Sequence, residues 1–125
     1  MNSSNKRTGS YGESIAASYL QSKGFYIHEK NSTSRWGEID IVAEKNRIIH
    51  FIEVKTRKAT RQGRPVEAVT QQKLMKLKRA IDFYIKAHGF FDRKLSIDVI
   101  GIQLGDTNQI LELKYYQNVY TDLFL

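Results

Sequence analysis

The chain has no cysteine and only one proline among its 125 residues. Without cysteine there is no disulfide scaffold, no thiol nucleophile and no cysteine zinc site. Any metal should therefore be a hard ion held by oxygen. The three histidines, His28, His50 and His88, share no metal-ligand spacing and fall in separate segments, which also argues against zinc. No apolar run approaches the ~20 residues of a membrane span, and the opening MNSSNKRTGSYGE lacks the apolar core of a signal peptide. A soluble cytoplasmic protein without a membrane partner is expected. Acidic residues are in deficit, 13 against 20 Lys and Arg, for a net charge of +7. The length suits one domain, and 41% hydrophobic with 26% charged residues is neither disordered nor fibrous.

The positive excess is concentrated. Between Lys55 and Arg79 stand nine basic residues and one acidic residue, Glu67, whereas from Leu95 onward Lys114 alone faces Asp98, Asp106, Glu112 and Asp122. A polyanion would bind at the first of these regions. The competing reading is a solvated loop and helix face.

Residues 1–9 are polar and are expected to be disordered, ahead of a single domain over 10–125. Ser10 with Glu13 forms a capping box, Ile15, Ala16, Tyr19 and Leu20 recur at helical spacing, and Gly24 ends that helix. A short strand over 25–29 and a polar connection over 31–34 follow. Two β-rich runs, 38–44 and 48–56, flank a hairpin turn at Lys45-Asn46-Arg47. The second is apolar on both faces, as a central strand is. A basic loop over 57–65 contains Gly63 and Pro65. A helix over 66–87, ended by His88-Gly89, then leads to strands over 95–104 and 110–116. This order predicts an α/β domain with a central mixed sheet flanked by helices.

Asp40 lies between Ile39 and Ile41, and Glu53 between Ile52 and Val54. Carboxylates in such settings are costly unless paired, protonated or bound to a cation. Period two puts Glu38 with Asp40 and Glu53 with Lys55. A hairpin register setting Asp40 opposite Glu53 would converge two like charges, an arrangement that suits a divalent cation such as Mg²⁺ or Mn²⁺. Such an ion polarises a phosphodiester and acidifies a bound water, and the Lys55 ammonium can orient that water. Glu13 completes the shell if its helix crosses the strand ends. The alternative is a structural ion pair of Asp40 and Glu53 with Lys55 or Arg57.

An acidic residue, a gap of twelve residues and Glu53-Val54-Lys55 resemble the PD-(D/E)xK signature of the restriction-endonuclease-like superfamily, with Ile39 where the proline would stand. The neighbouring motifs are more specific. Gly12-Glu13, Gly24, Asn31, GEIDIVA at 37–43, FIEVKTR at 51–57, Gly63 with Pro65, EAV at 67–69, Lys73 and IDVIGI at 97–102 resemble the YraN family of uncharacterised bacterial proteins, over about residues 9–120. The resemblance implies a restriction-endonuclease-like fold akin to Holliday-junction resolvases. Carried over by position, it implies a metal site at Glu13, Asp40, Glu53 and Lys55. IDVI in place of FDVI, and YQNVY in place of an N-A-F ending, read as core substitutions.

The expected activity is thus Mg²⁺- or Mn²⁺-dependent hydrolysis of nucleic acid, DNA rather than RNA, on branched or damaged structures and by endo- or exonucleolytic attack. The candidate nucleic-acid contacts are Arg35, Arg57, Lys58, Arg61, Arg64, Gln72, Lys73 and Lys76. Trp36 reads as either a stacking or a hairpin-packing aromatic, and Thr56 as a phosphate ligand or a strand filler. Tyr19, Tyr84, Tyr115, Tyr116 and Tyr120 read as core or interface aromatics. The strand at 110–116 and the Tyr-rich tail are candidate surfaces for a homodimer. Two other functions stay open: a nucleic-acid-binding module without turnover, and a structural or interaction protein whose buried charges form an ion-pair network.

Overall fold

A computed structural model describes residues 3–58 and 71–120. The elements run α1 (Ser3–Ser22), β1 (Tyr26–Ser34), β2 (Gly37–Lys45), β3 (Ile48–Lys58), α2 (Gln71–His88), β4 (Lys94–Leu104) and β5 (Ile110–Tyr116). The five strands form one sheet in chain order. β1, β2 and β3 are antiparallel neighbours, β3 and β4 are parallel, and β5 returns antiparallel to β4. A parallel pair requires a long crossover, and α2 lies within it. The α/β architecture and the mixed sheet flanked by helices are those expected from the sequence.

Several boundaries differ. α1 begins at Ser3, so residues 3–9 are helical and Ser10 lies inside the helix rather than at its cap. No proline interrupts residues 3–10, so the helical hydrogen bonds can continue back past Ser10. β1 continues through the polar residues 31–34, which pair with β2 although few side chains there are buried. Arg61, Gly63, Arg64, Pro65 and the expected helical start at 66–70 lie outside the described residues.

The stop signals hold. Gly24 has φ 90, and Phe25 N–H to Leu20 O with Gly24 N–H to Gln21 O completes a Schellman motif. Asn46 and Arg47, both at positive φ, form the two-residue turn between β2 and β3, the type I′ combination that suits strand twist.

The sheet buries both faces. Ala16, Leu20, Ile41, Ala43, Ile52, Ile100 and Ile102 pack together on the α1 side. Ala80, Ile81, Tyr84 and Ile85 of α2 cover Ile39, Val42, Ile49, Phe51 and Ile97 on the other. Beneath α1, the fully buried Asp98 accepts hydrogen bonds from His50 Nδ1 (2.6 Å), Ser96 Oγ (2.5 Å), Tyr115 Oη (2.5 Å) and the Asn118 N–H (2.9 Å). The last of these, with Val119 N–H to Ile97 O (2.8 Å), pins the chain after β5 and carries Tyr120 to the α2 side.

Candidate functional site

The site begins where β2 and β3 part. Their pairing is regular from Lys45 and Ile48 to Ile41 and Ile52, then stops, while β2 stays paired with β1 back to Gly37. Extending the register sets Asp40 opposite Glu53, as the hairpin reading anticipates. Facial alternation also slips here: Ile39 joins the α2-side core with Val42, whereas Ile41 joins the α1 side. Asp40 Oδ2 accepts the Val54 N–H at 2.8 Å. That N–H points across the sheet, so the carboxylate lies in the fork between the strands.

α1 brings Glu13 to this fork. Gly12 rests on β3 so closely that a Cβ there would lie 1.7 Å from Thr56 Oγ1. Thr56 thus faces α1 as a packing residue. Oxygens of Glu13, Glu38 and Asp40 lie within 4.8 Å of one another. Burial pushes Asp40 up to about 6, with the charges of Glu13, Glu38 and Glu53 adding to the rise and the Val54 N–H opposing it. Glu13 is also raised, by burial first and by Glu38, against an Asn31 hydrogen bond and the Lys30 charge. Asn31 reaches this position from a left-handed backbone (φ 54) that asparagine tolerates. Mutual repulsion within a half-buried carboxylate group is what a divalent cation relieves, and oxygen donors suit Mg²⁺ or Mn²⁺.

Glu53 and Lys55 lie on the α2 side, 3.6 Å apart, and border a cleft of about 320 Å³. Glu38, Asp40, Trp36, Tyr120, Lys73 and Lys76 also line it. Glu53 therefore acts on Asp40 by its charge but does not join the tight group, where Glu38 stands instead. Period two had placed Glu38 on the strand with Asp40, which is the signal by which it could have been found. Of the expected nucleic-acid contacts, Lys73 and Lys76 line the cleft, and Arg35 lies over Trp36 at its edge. Arg57, Lys58 and Gln72 do not line it, and Arg61 and Arg64 are outside the described residues. Tyr120, read from the sequence as a core or interface aromatic, packs against the α2-side core and also lines the cleft, held there by the Asn118 and Val119 backbone bonds. Such a return of the chain leaves no periodic signal.

The model of the Uncharacterised protein family UPF0102 matches residues 12–102. The chain belongs to this family. A UPF0102 protein of Syntrophomonas wolfei is 46% identical over 102 residues, covering 82% of this chain and 89% of the relative. Those of Dictyoglomus turgidum and Alkaliphilus metalliredigens are 34% and 40% identical, covering 93% and 84% of this chain and 98% and 92% of their own lengths. The UPF0102 match contains Glu13, Glu38, Asp40, Glu53 and Lys55, whereas Tyr120 lies beyond it. Among the described residues of this UPF0102 protein, no helix is long and apolar enough to cross a membrane.

Proposed function

We propose that this protein is a divalent-metal-dependent nuclease that hydrolyses DNA phosphodiester bonds. The observation that carries the reading is the convergence of Glu13, Glu38 and Asp40 at a strand fork that opens on a lysine-lined cleft. Asp40, Glu13 and Glu38 would hold Mg²⁺ or Mn²⁺, with Glu53 as the carboxylate at the border. When bound, the ion would supply Lewis acidity at the phosphodiester and acidify a water. Lys55 is suited to orient that water and to offset negative charge on the phosphoryl oxygens. Lys73 and Lys76 bring the substrate backbone to the cleft. The structural ion-pair reading finds support at Glu53, 3.6 Å from Lys55, but the charges acting on Asp40 are those of other carboxylates.

The fold architecture and the PD-(D/E)xK resemblance make branched or damaged DNA the first substrates to test. β5, with Ile110, Leu111 and Tyr116 exposed at the sheet edge, offers a surface for a homodimer on such substrates. Incubation with linear, nicked and four-way DNA in Mg²⁺ or Mn²⁺ tests the proposal. Cleavage should occur and should be lost in Asp40→Ala and Lys55→Ala. Absence of any cleavage dependent on these residues would overturn it.

A further inference from the structure

Trp36 is the single tryptophan of the chain. It stands in the turn between β1 and β2, half-buried against the α2-side core and at the edge of the cleft. Two guanidinium groups lie over its ring, Arg35 Cζ at 4.6 Å and Arg79 Cζ at 5.2 Å from the ring centre. One comes from the turn and the other from α2, so tertiary structure brings them together. Neither has a carboxylate partner among the described residues. Two like charges on one ring repel, and cation–π contact offsets only part of that cost. An anion bound by both would lower it.

A guanidinium beside an aromatic ring keeps N–H groups that can meet phosphate in a fork. Lys73, Lys76 and Arg79 recur every three residues along α2, which places them on successive turns of one flank. Lys73 and Lys76 line the cleft that Asp40 also lines, and Arg79 stands over Trp36 at its edge. The cleft, at about 320 Å³, is near the lower end of ligand pockets. That volume suits a nucleotide-sized group.

We infer that Arg35 and Arg79, held on Trp36, form a phosphate clamp for an unpaired nucleic-acid strand whose neighbouring phosphodiester enters the cleft. A basic groove with an aromatic post is the usual means of holding single strands. The clamp rests on the nuclease reading, since it names the substrate of that site as an unpaired strand, but its binding is measurable apart from hydrolysis.

The full chain, in EDTA, is titrated with a fluorescein-labelled oligothymidylate over a range of salt concentrations, reading anisotropy, and with unlabelled oligothymidylate, reading Trp36 emission. Arg35→Ala and Arg79→Ala should each weaken binding about ten-fold. Each should lower the slope of log K against log salt by about 0.7. Arg79→Lys should keep that slope and recover part of the affinity, because the charge remains while the planar stack is lost. Lys86→Ala, at the exposed far end of α2, should bind like the parent, and a duplex of the same length should bind about ten-fold more weakly or worse. Trp36 emission should change on binding. Arginine variants that behave like Lys86→Ala, or duplex that binds as well as single strand, would overturn the clamp. Mn²⁺ added to the same samples separates the two readings. Arginine-dependent binding without cleavage upholds the clamp and leaves hydrolysis to the linear, nicked and four-way DNA test, whereas cleavage indifferent to both arginines overturns the clamp alone.

Discussion

Gly12 packs against Thr56 with no room for a side chain of its own: a Cβ on Gly12 would fall 1.7 Å from Thr56 Oγ1 and 2.9 Å from its Cβ. This contact sets the distance between α1 and β3, and so the approach of Glu13 to Asp40. Gly12→Ala should destabilise the fold by about 1–3 kcal/mol, as overpacking does. Thr56→Ala in the same chain should restore part of the loss, because it removes the hydroxyl while leaving a tight Cβ contact. Denaturant titration of the two single variants and the double variant measures the coupling.

Thr56 Oγ1 is itself buried without a hydrogen-bond partner among the described residues. A buried polar atom left unpaired is unfavourable. Thr56→Val keeps the shape and removes that cost, so chemical denaturation should show a gain of about 1 kcal/mol.

Asp98 satisfies four donors at once, and its removal should be costly. Asp98→Ala leaves His50, Ser96, Tyr115 and the Asn118 N–H facing a cavity, at about 3–5 kcal/mol. Burial alone would raise its carboxyl, but the hydrogen bonds from His50, Ser96, Tyr115 and Asn118 outweigh burial and hold it below the ordinary value of 3.8. A lowered folded-state value stabilises above the unfolded one and is lost as pH falls through the folded value. Thermal melts should therefore show a shallower loss of stability below about pH 4 in Asp98→Asn than in the parent.

At Asp40 the sign is the opposite. Its carboxyl lies at about 6 in the folded chain against 3.8, so the metal-free fold holds a proton that the unfolded chain releases. Its contribution to stability is largest below the unfolded value and is lost as pH rises through the folded one. Asp40→Asn, which keeps an acceptor for the Val54 N–H, should flatten the fall in melting temperature between about pH 4 and pH 6 in EDTA. Mn²⁺ should stabilise the parent more near pH 7 than near pH 5, because protonation competes with the ion.

Arg47 occupies the second position of the β2–β3 turn with φ 67, a region unfavourable to side chains with a Cβ. Arg47→Gly should gain up to about 1 kcal/mol in denaturant titration without moving the site.

What the sequence made legible was what local pattern controls. Lys45-Asn46-Arg47 marked the turn, and the turn's length set the register that carries Asp40 opposite Glu53. Gly24 and Gly89, both at positive φ, marked the helix ends. The polar half of β1 was missed because strand pairing there depends on β2 and leaves no buried alternation. Ser10 resembled a cap because local residues cannot reveal a helix that starts earlier. Glu38 and Tyr120 needed the fold itself: one depends on the parting of two strands, the other on backbone bonds that return the chain beside α2.

The most direct test of the central claim is the anomalous density of a crystal grown from the full chain and soaked in Mn²⁺. The account predicts a peak at the fork, within coordination distance of Asp40 and Glu13, that disappears in Asp40→Ala. An empty fork in the parent, or a lysine or arginine side chain occupying it against Asp40, would contradict the account.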